Sequence, residues 1–170
     1  MSEPFTLYKL IVLYMLHKVD FPLTNSQISA FILDRGYTTY FTLQSVLSDL
    51  AESGMVRSET IRNSSYYTVT DSGAEALHYF QNRISKQIRD EIDLYMSENK
   101  MKLRDEVSII ADYYKNTADE YSVHCVVKEK YSNPIDLTIT VPDEAQAKNV
   151  CRNWRDHCQQ IYEFVMKELL

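Results

Sequence analysis

Apolar residues recur at helical spacing over roughly the first fifty positions and then switch to alternation. Leu7, Leu10, Ile11, Tyr14 and Met15 share one helical face, so Thr6 to Lys18 is predicted as a first helix. Asp20 to Leu23, with Phe21-Pro22, interrupts it. Thr24-Asn25-Ser26-Gln27 then has the form of a capping box, opening a second helix with Ile28, Phe31 and Ile32 inward and Gly36 as its stop. Thr42 is placed to cap a third helix striped by Leu43, Val46, Leu47 and Leu50, which Gly54 ends. Met55 to Thr60 and Ser65 to Thr70 read as two strands joined by Ile61-Arg62-Asn63-Ser64, a hairpin. Thr70 caps a fourth helix with Ala76, Leu77 and Phe80 on its inner face.

The second half repeats the switch. Arg83 to about Lys102 is a charge-rich helix with Ile84, Ile88, Ile92 and Tyr95 along one line. Three alternating runs follow: Val107 to Tyr113, Tyr121 to Val127, and Ile135 to Val141. Short turns at Asn116 to Glu120 and Ser132-Asn133-Pro134 favour an antiparallel meander. Pro142-Asp143 opens a last helix, whose stripe of Ala147, Val150, Cys151, Trp154, Cys158, Ile161 and Val165 is wide enough to cover one sheet face. The opposite face, with His124, Lys128, Thr138 and Thr140, is mixed and calls for water or a partner.

The predicted class is therefore α+β. Residues 1–80 form a winged helix-turn-helix, since three short helices, a hairpin and a further helix follow in that order. Residues 81–104 form a linking helix, and residues 105–170 a three-stranded antiparallel sheet covered by a C-terminal helix, for dimerisation or sensing. Particular segments carry a family resemblance. SSYYTVTDSG, from Ser64 to Gly73, resembles the wing-to-helix passage of the PadR-like and MarR-like regulators, where an aromatic strand runs into T-x-x-G. KLIVLYML (9–16), FPLTNSQI (21–28), YTTYFTLQ (37–44), NRISKQIRDEID (82–93), LRDE (103–106), ADYY (111–114) and Asn153-Trp154 resemble a bacterial domain family of unknown function. Its members are winged-helix proteins regarded as candidate transcriptional regulators. The chain departs from that pattern at Ser85, where the family has proline. The resemblance covers nearly the full length and implies a fold and a class, with no catalytic residues to transfer.

Composition changes this picture in a few places. Apolar residues are 45% and charged residues 25%, ordinary for a folded protein, and Gly 3 and Pro 4 leave little chain for long linkers. The apolar run Leu10 to Leu16 is far short of the ~20 residues of a membrane span, and Glu3 is the first charge, so no secretory signal is expected. Cys125, Cys151 and Cys158, odd in number and without CxxC spacing, read as reduced thiols of a cytoplasmic protein. Phosphate-loop, nucleophile-elbow and zincin motifs are missing, and the four histidines stand singly, so neither an enzyme, a metal nor a cofactor is expected.

The charge balance bears on function most. Lys+Arg 18 against Asp+Glu 24 gives a net charge of −6. Residues 1–80 hold five basic residues (Lys9, Lys18, Arg35, Arg57 and Arg62) against eight acidic ones, a net −3. Phosphate neutralisation supplies most nonspecific affinity for nucleic acid, and that balance offers little of it. Two functions stay open. One is a homodimeric DNA-binding transcriptional regulator. Its candidate DNA contacts are Thr39, Tyr40, Thr42, Gln44, Ser45, Ser48, Arg57, Arg62, Asn63 and Ser64, and its candidate dimer interface is Ile84, Ile88, Ile92 and Tyr95. Gln44 suits adenine because its amide pairs bidentately with that base; Arg57 and Arg62 suit phosphates; Asp49 and Glu52 would oppose them. The other is a winged-helix protein-interaction module that uses the same surface on a protein partner.

Overall fold

A computed structural model describes residues 2–61 and 63–170. The fold is α+β, with two three-stranded antiparallel sheets and a C-terminal helix. The chain divides into two compact units, Met1–Leu103 and Arg104–Leu170.

In the first unit, α1 (Glu3–His17) is buried continuously from Leu10 to Leu16, which makes it the central helix. After it, Leu23–Thr24 forms a two-residue strand, β1, where the sequence suggested only a break. α2 (Asn25–Asp34) starts on the expected capping box: Gln27 N donates to Thr24 Oγ1 at 3.1 Å and Thr24 N to Gln27 Oε1 at 2.9 Å. α3 (Tyr40–Glu52) is capped by Thr39, not by Thr42, whose backbone N donates to Thr39 Oγ1 at 3.3 Å. The cap falls three residues earlier because Tyr40 and Phe41, although apolar, lie in the first exposed turn of the helix. Gly36 and Gly54 follow α2 and α3 with φ of 68° and 74°, a conformation that suits a residue without Cβ.

β2 (Val56–Ile61) and β3 (Ser64–Val69) pair antiparallel from Val56↔Val69 to Ile61↔Ser64. β1 adds to β3 through Leu23↔Tyr67 and Thr24↔Tyr66, so the strand order is β1-β3-β2. α4 (Asp71–Phe80) is capped by Thr70, whose Oγ1 accepts from Gly73 N at 3.1 Å and donates to Gly54 O at 2.6 Å. A short 3-10 turn (Gln81–Arg83) leads to α5 (Lys86–Ser108), where Ser85 Oγ accepts the Ile88 N–H at 3.3 Å. Ser85 thus satisfies one of the free N–H groups in the first turn of α5.

α5 is longer than the sequence pattern suggested. Val107, expected to open a strand, is still helical, because Leu103 and Val107 extend the helical spacing and both are buried. Ile84 and Ile92 lie wholly inside the first unit's core, and Ile88 and Tyr95 are half-buried against it. The stripe expected to meet a second copy is therefore consumed by the chain's own packing. Tyr14 OH donates to Asp93 Oδ1 at 2.9 Å, and Lys18 Nζ lies 3.0 Å from the same carboxylate, fastening α1 to α5. Burial, followed by the bond to Asp93, raises the Tyr14 pKa.

The second unit holds β4 (Ile109–Lys115), β5 (Tyr121–Val127) and β6 (Ile135–Val141), antiparallel in that order, and α6 (Glu144–Leu169). Val123 and Cys125 of β5 meet Ala147, Trp154 and Cys158 of α6, as the two periodicities predicted. Burial pushes the Cys125 thiol up to about 11, which suits an inert core sulfur. On the opposite face His124 Nε2 lies 2.6 Å from Asp136 Oδ1, and Thr138 and Thr140 are exposed. Among the described residues no helix is long and apolar enough to cross a membrane.

Candidate nucleic-acid interface

An amphipathic helix held by its apolar stripe presents its polar face to whatever binds. α3 buries Leu43, Val46, Leu47 and Leu50 and packs against α1. Its outer face exposes Tyr40, Phe41, Ser45, Ser48 and Glu52, with no lysine or arginine among them. The hairpin stands beyond it, with Arg57, Ser58, Glu59, Asn63 and Ser64 exposed. Arg57 and Glu59, two apart on β2, project from the same side of the strand, so the cation has a carboxylate for a neighbour. Arg62 lies outside the described residues.

Several of the sequence-predicted contacts are already committed within the chain. Thr39 Oγ1, besides accepting the Thr42 N–H, donates to Thr42 Oγ1 at 3.0 Å. Gln44 is half-buried and forms a reciprocal amide pair with Asn25: Asn25 Nδ2 donates to Gln44 Oε1 at 2.7 Å, and Gln44 Nε2 donates to Asn25 Oδ1 at 3.1 Å. Ser29 Oγ donates to that same Asn25 oxygen at 2.9 Å. Ser45 Oγ turns back to Phe41 O at 3.2 Å, and Ser48 Oγ points to Glu52 Oε1 at 3.5 Å. Asp49, expected to repel phosphates, has its charge paired by Lys9 Nζ of α1 at 3.4 Å, whereas Glu52 is an exposed acid of the outer face.

The turn before α3 is anchored as well. Tyr37 OH donates to Glu91 Oε2 on α5, and Gln87 Nε2 donates to the other Glu91 oxygen at 3.1 Å. The Tyr37 bond, more than any other influence, holds the Glu91 carboxyl below the usual carboxylate range. Phe31 lies against Tyr95 with ring centroids 4.5 Å apart and planes tilted by 38°, and meets Tyr37 edge-on at 5.9 Å. The start of α3 is therefore set by α2 and α5 together. The pairings of Asn25, Lys9 and Glu91 were not anticipated by sequence reasoning; each partner lies 19 to 54 positions away, and no local spacing announces that.

The family model described as Domain of unknown function (DUF4364) matches residues 8–169. The chain belongs to this family. Membership in DUF4364 covers both units, so the α3 face and the sheet capped by α6 are parts of one family domain. No curated protein and no solved structure matches the chain.

Proposed function

We propose that this DUF4364 protein is a winged helix-turn-helix transcriptional regulator that docks α3 in the major groove of duplex DNA. The observation that carries the reading is β1. A helix, a short strand, two helices and a hairpin, with the short strand completing a β1-β3-β2 sheet, is the order and pairing of a winged helix. In that arrangement α3 is the reading helix and the β2–β3 hairpin the wing. Arg57 approaches the phosphate backbone from the wing, and Asn63 and Ser64 add neutral hydrogen-bonding groups at its tip.

Two copies acting together belong to the same proposal, because paired half-sites double the sequence read by one helix. The stripe on α5 is not free for that contact. Phe164 and Leu169, exposed on α6 at 64% and 78%, are the apolar groups we assign to it in its place.

The test is recovery of genomic fragments by the purified full-length protein, followed by sequencing. The expected result is a discrete set of fragments sharing two half-sites about one helical turn, or a small multiple of it, apart. Fragments recovered in proportion to the input would contradict the proposal. A second reading, a protein-docking module, is favoured by the lack of any lysine or arginine on α3 and by the exposed Glu52. It predicts that proportional outcome.

A further inference from the structure

A side-chain amide reads adenine with one edge, its carbonyl oxygen beside the N–H cis to it. Asn25 presents to Gln44 the same donor and acceptor that adenine would, and the reciprocal pair at 2.7 and 3.1 Å occupies that edge. The bond from Ser29 holds Asn25 in place, so freeing Gln44 for a base would break up two hydrogen bonds to make two. The hydroxyls of Ser45 and Ser48 are turned toward groups of their own helix. What α3 offers outside these hydrogen bonds is the exposed aromatic pair of its first turn, Tyr40 and, more fully exposed, Phe41.

Phe41 is 82% exposed and is the second residue of α3, in the turn whose residues reach base edges when such a helix enters the major groove. Tyr40 stands edge-on to it, with centroids 5.8 Å apart, and narrows the directions the ring can take. A phenyl ring neither donates nor accepts a conventional hydrogen bond. The apolar group that a major groove displays is the C5 methyl of thymine. Phe41 also stands among Thr42, Ser45 and Ser48, a hydroxyl-rich setting that suits phosphates better than it suits an apolar protein surface.

We infer that Phe41 is the specificity-determining residue of α3 and reads thymine through its methyl group, while Gln44 ties α3 to α2 and reads no base. This rests on the DNA-binding reading above. The test uses the full-length chain and the best-enriched duplex selected from a random pool, with each thymine replaced in turn by deoxyuridine, which removes only the methyl. One position is expected to lose about fourfold in affinity, the worth of one buried methyl. Phe41→Ala should be insensitive at that position, and Gln44→Ala should keep every base preference of the wild type. Thermal melting checks that both variants stay folded.

An enriched duplex that tolerates every deoxyuridine equally in wild type and Phe41→Ala would overturn the inference and leave the DNA-binding reading standing. Loss of an adenine preference in Gln44→Ala would do the same. A pool in which no sequence is enriched would overturn both, and would assign the Phe41 ring to a protein partner.

Discussion

Gly73→Ala is expected to lose about 3 kcal/mol of stability, the upper end of what an inserted carbon costs and enough to leave the first unit marginal. A Cβ at this position would lie 2.0 Å from Met55 O and 3.0 Å from both Met55 C and Val69 Cγ2. The nearest of these is backbone, so a rotamer change cannot relieve the overlap. Moving Met55 O would also strain the bond it accepts from Thr70 N at 3.1 Å, a contribution of about 1 kcal/mol. Alanine's better helix propensity returns about 1 kcal/mol and does not offset the clash. The position explains the T-x-x-G motif physically: Thr70 caps α4 through the Gly73 N–H, and the bare Cα lets the helix rest on the strand end. Urea unfolding followed by far-ultraviolet circular dichroism measures the loss. A variant whose midpoint matches the wild type would contradict this account of the packing.

Trp154→Ala should cost the second unit at least as much, about 3–5 kcal/mol. The indole is 3% exposed and packs with Val123, Cys125, Ala147 and Cys158. Its Nε1 donates to Val126 O at 3.3 Å, so truncation removes the largest side chain of a small core together with a buried hydrogen bond. Trp154→Phe keeps most of the volume and is expected to recover more than half of the loss. The same unfolding experiment compares the two. Equal destabilisation by alanine and phenylalanine would mean that the indole hydrogen bond, and not the filled volume, holds α6 to the sheet.

Most elements were legible because the signals that make them are local. Thr24 and Gln27 announce α2 through a capping box that forms as drawn, and Gly36 and Gly54 take the positive φ that their places after a helix suggested. The alternation of Tyr121, Val123, Cys125 and Val127 identifies which side of β5 meets α6. β1 was illegible because two residues are too few to show a period, and its strand character comes from β3, more than forty residues away. α5 outran its expected end because Val107 satisfies the helical and the alternating pattern alike, and the tertiary core decides between them.

The candidate site was legible in outline but not in its chemistry. The Ile84, Ile88, Ile92 and Tyr95 line shows correctly that one face of α5 is apolar, but periodicity does not say what covers that face; the first unit's own core does so. Gln44 and Asp49 look free in sequence because Asn25 and Lys9, their partners, belong to other helices. With Thr42 read as the cap, Phe41 falls before the helix, so nothing in the pattern places its exposed phenyl on the face of α3.

Docking of α3 on duplex DNA is the central claim, and titration of the selected duplex across about 50–200 mM salt tests it most directly. Three proteins are compared: wild type, Arg57→Ala, and Ser45→Glu/Ser48→Glu, which places two carboxylates on the exposed face of α3. Wild-type affinity should fall steadily with salt, and Arg57→Ala should flatten the slope by about one unit. The acidic double variant, repelled by the phosphates flanking the groove, should bind at least about tenfold more weakly at the lowest salt. Binding by the double variant as tight as that of the wild type would contradict docking through α3.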